Sequence, residues 1–150
     1  MAKNSSDGLA LDDQLCFALY RSSQAVMASY RKHLADAGLT YTQYLVLLVL
    51  WEDEMATMGS LSGKMGLDSG TLTPLVKRLE SKGLVTRNRD PQDERVVKLG
   101  LTPDAISLRK EVKKARQKVV KDTGMTLEQI AQLRKELHTL AARVEDMTAK

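Results

Sequence analysis

Residues 67–101 read LDSGTLTPLVKRLESKGLVTRNRDPQDERVVKLGL and divide into a helix, a stop and a hairpin with a charged tip. Asp68 or Ser69 is suited to cap the helix, because a short side-chain oxygen there accepts an N–H that the first turn leaves unpaired. Leu72, Leu75, Val76 and Leu79 follow at the i, i+3, i+4, i+7 spacing of one buried helical face. Gly83 ends the helix, since glycine takes the left-handed conformation that a helix C-terminus often needs. Residues 84–87 and 96–99 are β-prone runs, and the polar stretch 88–95 between them is expected to form the hairpin loop.

The outward residues of this stretch point to a partner. Ser69, Thr71, Thr73, Lys77 and Arg78 lie off the apolar stripe, and the hairpin adds Arg87, Arg89 and Arg95. Small hydroxyls near a helix N-terminus, with cations further along and on an adjoining loop, suit a helix entering a DNA groove. A solvated helix beside an ordinary hairpin accounts for the same charges.

Upstream, a short helix over about residues 57–65 is broken by Gly66, which completes a helix–turn–helix pattern. The hairpin makes it winged. The expected fold is therefore mainly α with a small β-wing, and residues from about 40 to 101 form the winged helix-turn-helix. Its leading helix is capped by Thr40 or Thr42, turns Tyr44, Leu45, Leu47, Leu48 and Leu50 to the core, and ends near Trp51.

Long helices flank this unit. The first runs from a cap at Asp12 or Asp13 to about Ala37, with Leu15, Leu19, Val26, Met27 and Leu34 among its apolar positions, and Gly38 stops it. The residues before it, Met1 to Gly8, are expected to fray. Thr102-Pro103 starts a helix to about Asp122, with Pro at the first position, where its missing N–H does no harm. The last helix begins near Thr126 and carries Ile130, Leu133, Leu137, Leu140, Val144 and Met147 close to a heptad seam. The seam could pack on its own domain. The compact winged helix needs only the middle of the chain, so dimerisation through residues of about 11–37 and 102–147 is the preferred reading.

With 150 residues, 43% hydrophobic and 28% charged, the chain is long enough for one ordinary folded domain and marginal for two. Aromatic residues make up only 4%, which favours a helical core of Leu, Val, Ala and Met. A net charge of +4 permits a polyanionic partner without proving one. The Lys- and Arg-rich run 110–121 includes Glu111 and alternates with Val112, Ala115 and Val119, which suits a solvated helix face. No secretion signal or membrane span is visible, and with a single cysteine no intrachain disulfide is possible. A cytoplasmic setting is expected.

Little in the sequence points to catalysis, a metal or a cofactor. Residues 59–65 (GSLSGKM) faintly resemble a phosphate-binding loop but are one residue short between the glycines, and Met65 stands where Ser or Thr should hold magnesium. His33 and His138 belong to no metal-spaced cluster, and no nucleophile elbow surrounds any serine. Cys16 alone has latent chemistry. It lies about one turn into the first helix, where free N–H groups and the macrodipole favour an anion, and the thiolate is the form that attacks a peroxide. Tyr20, four residues on, shares its face and could donate a hydrogen bond to it. A small inert core residue is the competing reading of Cys16.

The stretch 67–101, including Asp93-Glu94-Arg95 at the wing, resembles the winged helix of MarR-type bacterial repressors. Residues 15–20 (LCFALY) and 39–51 (LTYTQYLVLLVLW) resemble the organic-hydroperoxide-sensing OhrR branch. The resemblance implies a homodimer that binds a pseudo-palindromic operator in double-stranded DNA. It makes Cys16 the redox sensor, in the one-cysteine subtype, with Tyr30 and Tyr41 contributed by the partner subunit and Tyr20 nearby. Its implied reactants are an organic hydroperoxide and a low-molecular-weight thiol, with Cys16 ending in a mixed disulfide or overoxidised, and it implies no cofactor. On the DNA side, Ser69, Thr71, Thr73, Lys77, Arg78, Arg87, Arg89 and Arg95 are the expected contacts, with Arg89 in the minor groove and with Asp93 and Arg95 bracing the wing, from which Arg95 also reaches phosphate. One departure is Ala105, where the family often carries glycine, at the junction of hairpin and helix. Other functions remain open: a MarR-type repressor released by a small phenolic or anionic ligand, an architectural winged helix without an operator, or a slow peroxide-consuming thiol.

Overall fold

A computed structural model describes residues 8–149. The N-terminal stretch expected to fray lies, up to residue 7, outside the described residues. In chain order the described residues form α1 (Leu15–Leu34), α2 (Tyr41–Asp53), β1 (Met55–Thr57), α3 (Met58–Met65), α4 (Ser69–Ser81), β2 (Val85–Arg89), β3 (Val97–Leu101), α5 (Pro103–Asp122) and α6 (Leu127–Thr148). The expected class, mainly helical with a small β-wing, is what the chain adopts.

The helix ends show why. Thr40, Thr57 and Thr126 each accept the N–H of the residue three places on, and Gln43, Ser60 and Gln129 return the bond to the cap's own N–H. Asp68 caps α4 through Thr71. Gly83, at φ 69°, closes α4: its N–H donates to the Glu80 carbonyl and the Leu84 N–H to the Leu79 carbonyl. This paired closure satisfies carbonyls the last turn would leave open. α5 starts with Pro103 at its first position and Thr102 as cap, and the Trp51 Nε1–H reaches the Ala105 carbonyl at 3.2 Å. Alanine thus fits the junction where the family often has glycine, and its methyl is buried.

α1 corrects one expectation. Neither Asp12 nor Asp13 caps it; both fall in a short 3-10 turn, and the cap position is Gln14. The Gln14 amide instead donates back to the carbonyls of Gly8 and Ala10.

The sheet is three-stranded and antiparallel in the order β1-β3-β2. β1 was not expected, because three residues between two helices are too few to show a strand period. It pairs Ala56 with Leu99, which also faces Arg87 of β2, so fully buried Leu99 occupies the middle of the sheet. The wing strands also run further than the sequence suggested, taking in Asn88 and Arg89 on one side and Gly100 and Leu101 on the other.

α2 is the centre of the core. Gln43, Tyr44, Val46, Leu47, Val49 and Leu50 are buried there, packed with Leu61 of α3, Leu72, Val76 and Leu79 of α4, and Leu99. Leu48, expected in the core, is exposed, while Val46 and Val49 take buried positions. A helix apolar on almost every side carries no polar stripe from which its phase can be read.

The flanking helices differ. Of the apolar positions expected to be buried in α1 only Leu34 is, and α6 contains no buried residue at all. Leu133, Leu137, Val144 and Met147 of the seam are exposed, the last of them 74%. No helix among the described residues is long and apolar enough to cross a membrane.

Candidate DNA-binding face and thiol sensor

α4 presents the polar face the sequence suggested. Ser69, Thr71, Lys77 and Arg78 are exposed, and Thr73 is half-buried at the border of the apolar stripe. The cap engages Thr71 twice: its N–H donates to Asp68 Oδ1 at 2.9 Å and its hydroxyl to Asp68 Oδ2 at 3.1 Å. These two bonds hold the Asp68 carboxyl below the usual carboxylate range. Pro74 stands inside the helix on the exposed side, so the Gly70 carbonyl lacks its regular N–H partner.

The wing is tied together mainly by a residue that sequence reading missed. Asp90 Oδ2 meets Lys98 Nζ at 2.6 Å, and Asp90 Oδ1 accepts the Gln92 N–H at 2.8 Å. Lys98 first, then the Gln92 N–H, holds the Asp90 carboxyl below its usual range. Asp93 adds a second brace, accepting the Arg95 N–H at 3.0 Å, and the loop is closed by Asp90 N–H to the Val96 carbonyl at 2.8 Å. The signal was present in the Asp90-Pro91 pair, since Asp followed by Pro favours a turn whose side chain bonds backbone two residues on.

Three wing arginines fall into two kinds. Arg89 and Arg95 are exposed and make no ion pair among the described residues. Arg87 is half-buried, lies 3.7 Å from Glu80 of α4, and has a buried Nε without a hydrogen-bond partner. It therefore joins the wing to α4, whereas the other two project as free cations.

Tyr30 of α1 and Tyr41 and Tyr44 of α2 form one aromatic cluster. Ring centroids are 5.0 Å apart for Tyr30–Tyr41, 5.2 Å for Tyr30–Tyr44 and 6.0 Å for Tyr41–Tyr44. Burial raises the Tyr44 phenol well above its usual range, helped by a side-chain hydrogen bond with Tyr30, and burial also raises Tyr41. Both phenols stay protonated near neutral pH and are therefore hydrogen-bond donors. Tyr44 had been read only as core; its place three residues after Tyr41 was the signal that both turn toward one side of α2.

Cys16 and Tyr20 are not part of that cluster. Both are exposed near the start of α1. Cys16 precedes Tyr30 by fourteen residues, which along a straight helix is about 21 Å. The thiol of one chain cannot reach its own tyrosine cluster.

A second polar constellation joins α1 to α5. Ser29 Oγ donates to Asp122 Oδ2 at 2.7 Å, and His33 Nε2 meets the same oxygen at 2.8 Å. The Ser29 bond first, then His33, keeps the Asp122 carboxyl below its usual range. The order is Ser–Asp–His, with no hydrogen bond between serine and histidine, so it is a clamp and not the nucleophile–base pair of a hydrolase.

Comparison with known proteins places this geometry. The MarR family model matches residues 39–97, which is most of the winged helix. The transcriptional regulator TtmR of Methylorubrum extorquens is 45% identical over 93% of this chain and 75% of its own length. The organic hydroperoxide resistance transcriptional regulator of Bacillus subtilis is 40% identical over 92% of this chain and 94% of its own. The chain belongs to the MarR family. Like those relatives, this MarR-family member is a DNA-binding transcriptional regulator. Among solved structures, AbfR of Staphylococcus epidermidis superposes with a TM-score of 0.76 at 35% identity, covering 90% of this chain and 94% of that one. An overoxidized AbfR bound to DNA gives a TM-score of 0.72 at 33% identity, over 89% and 94% of the two chains.

Proposed function

We propose that this regulator is a homodimeric repressor that senses organic hydroperoxides by oxidation of Cys16 and then releases a pseudo-palindromic operator. One observation carries the reading: a cluster of three tyrosines lies about 21 Å from the thiol of its own chain, while both flanking helices leave apolar residues uncovered. Dimerisation through α1 and α6 buries those residues and brings Cys16 of one protomer to Tyr30 and Tyr41 of the other. Tyr20 stands one turn from the thiol on the same face. The relative named for organic hydroperoxide resistance supports the same assignment.

The chemistry balances with the named reactants. The Cys16 thiolate attacks the terminal oxygen of the hydroperoxide; an S–O bond forms, the O–O bond breaks, and the alkoxide leaves and takes a proton to become an alcohol. The sulfur is oxidised to a sulfenic acid and the peroxide is reduced. A low-molecular-weight thiol then displaces hydroxide, which leaves as water, and a mixed disulfide results. The tyrosine O–H groups hold the thiolate before attack. AbfR has been solved on DNA both reduced and overoxidized. Bulk therefore suits the releasing event better than added oxygen, and the mixed disulfide is the form assigned to release.

On the DNA, α4 enters the major groove with Ser69, Thr71, Thr73, Lys77 and Arg78 toward bases and phosphates. Arg89 enters the minor groove, Arg95 reaches phosphate, and Arg87 acts through its hold on Glu80. An adduct at the dimer interface changes the spacing of two recognition helices that must match half-sites about one helical turn apart. The setting is the cytoplasm. The test is binding to the protein's own upstream DNA, with and without cumene hydroperoxide plus cysteine, for wild type and Cys16→Ser. Release by wild type alone supports the reading; an equal response of both proteins overturns it.

A further inference from the structure

The C-terminal end of α4 is fastened to a bend that the assignments above leave unused. Lys82 caps that end, its N–H donating to the Arg78 carbonyl at 3.1 Å. Its ammonium donates to the Gly38 carbonyl and, at 3.3 Å, to Gln43 Oε1. Both acceptors belong to the bend between α1 and α2: Gly38 stands in it at φ 65°, and Gln43 completes the capping box of α2. Gln43 is the one buried polar residue among those described, and its Oε1 also takes the Thr40 N–H at 3.1 Å. Lys82 has no carboxylate partner among the described residues. A charge that water would hydrate freely is directed instead at two neutral oxygens, one of them just past the C-terminus of α1, where a cation is favoured. Tyr41 lies between the two halves of the capping box, at the first position of α2. The same bend thus carries a ring of the tyrosine cluster and holds the end of α4.

We infer that Lys82 is a positioning residue of the switch, which passes a displacement of the Tyr41 bend to the end of the recognition helix. This rests on the sensor reading above and adds the route from the tyrosines to α4. Leu72, Val76 and Leu79 also join α4 to α2. Apolar contacts, however, have no direction and leave a packed helix free to turn about its stripe. Two charge-assisted bonds from one ammonium fix that turn, and each is stronger than a bond between neutral groups. An adduct on Cys16 that parts the sulfur from the tyrosines shifts the bend, and Lys82 carries α4 with it. Without the ammonium, the bend moves alone and α4 keeps its place.

The test compares Lys82→Met, which keeps the aliphatic stem without its donors, with Lys82→Arg, which keeps donors. Operator affinity is measured for each before and after treatment with cumene hydroperoxide plus cysteine, and modification of Cys16 is followed by mass spectrometry. Lys82→Met should be modified at the wild-type rate and, when reduced, bind the operator within about threefold of wild type. Its loss of affinity on modification should nevertheless be about tenfold smaller than that of wild type. Lys82→Arg should recover most of the wild-type loss. A full wild-type loss in Lys82→Met overturns the inference. A reduced-state affinity down about tenfold, with a salt slope shallower by about 1, also overturns it, because Lys82 is then a phosphate contact. If wild type itself holds the operator once Cys16 is fully modified, the sensor reading fails and the inference falls with it.

Discussion

The middle of this molecule and its two ends treat apolar surface in opposite ways. In the winged helix, α2 is buried on nearly every side, and Leu61, Leu72, Leu79 and Leu99 are fully sealed from water by the same chain. In the flanking helices, the seam of α6 and the start of α1 show water the residues a core would hide. Both regions consist of capped helices with apolar stripes, so local sequence does not distinguish them. What differs is whether the covering surface is encoded in the same chain. The winged helix is complete alone; on the dimeric reading proposed above, the ends form half of a surface whose other half is a second copy.

Cutting the seam is the strongest way to separate the two regions. Leu137→Glu should abolish the dimer and weaken operator binding roughly a thousandfold toward non-specific affinity, while the circular dichroism of the helices survives. Sedimentation and operator titration check it, and a dimer that persists would mean α6 is not the joint. Next in size, Leu99→Ala removes a fully buried side chain at the middle of the sheet and should cost about 3 kcal/mol. Denaturant titration reads that loss, and it should be the same at every protein concentration if the winged helix stands by itself.

Within the winged helix, Arg89→Ala should weaken operator binding about tenfold and make the slope of log affinity against log salt shallower by about 1. Arg87→Ala should behave differently, reducing thermal stability as well as affinity, because its half-buried guanidinium lies against Glu80 of α4. The smallest effect concerns the α1–α5 clamp. Asp122 is held below its usual range by Ser29 and His33, so its contribution is present above the unfolded carboxylate pKa and is lost as pH falls through the lower, folded value. Asp122→Asn should therefore melt slightly earlier than wild type above about pH 5 and no earlier in stronger acid. A difference that grows on acidification would contradict the clamp.

Most of the architecture was legible because its punctuation is local. Asp68, Thr40, Gly83 and the Thr102-Pro103 pair mark helix ends through bonds made within a few residues, and each stands where the sequence put it. β1 was hidden because a strand of three residues owes its existence to Leu99, over forty positions away. Leu48 was misplaced because an apolar helix carries no phase, and Asp12 and Asp13 because a good capping residue does not cap unless the helix starts next to it. At the candidate site, the tyrosines could be named from the resemblance. Their separation from Cys16 becomes visible only when α1 is seen as one unbroken rod. Asp90, in turn, was overshadowed by the more recognisable acids at 93 and 94.

The cap of α4 has a bearing on the DNA alphabet. Thr71 gives its only hydroxyl proton to Asp68, so toward a base its oxygen can only receive. In the major groove the amino groups of adenine and cytosine can offer it a proton, whereas the edge of guanine presents acceptors alone. With α4 in the major groove as proposed, a side chain that would otherwise be indifferent to donors and acceptors is thereby set against guanine at its position, by a bond whose first task is to start a helix.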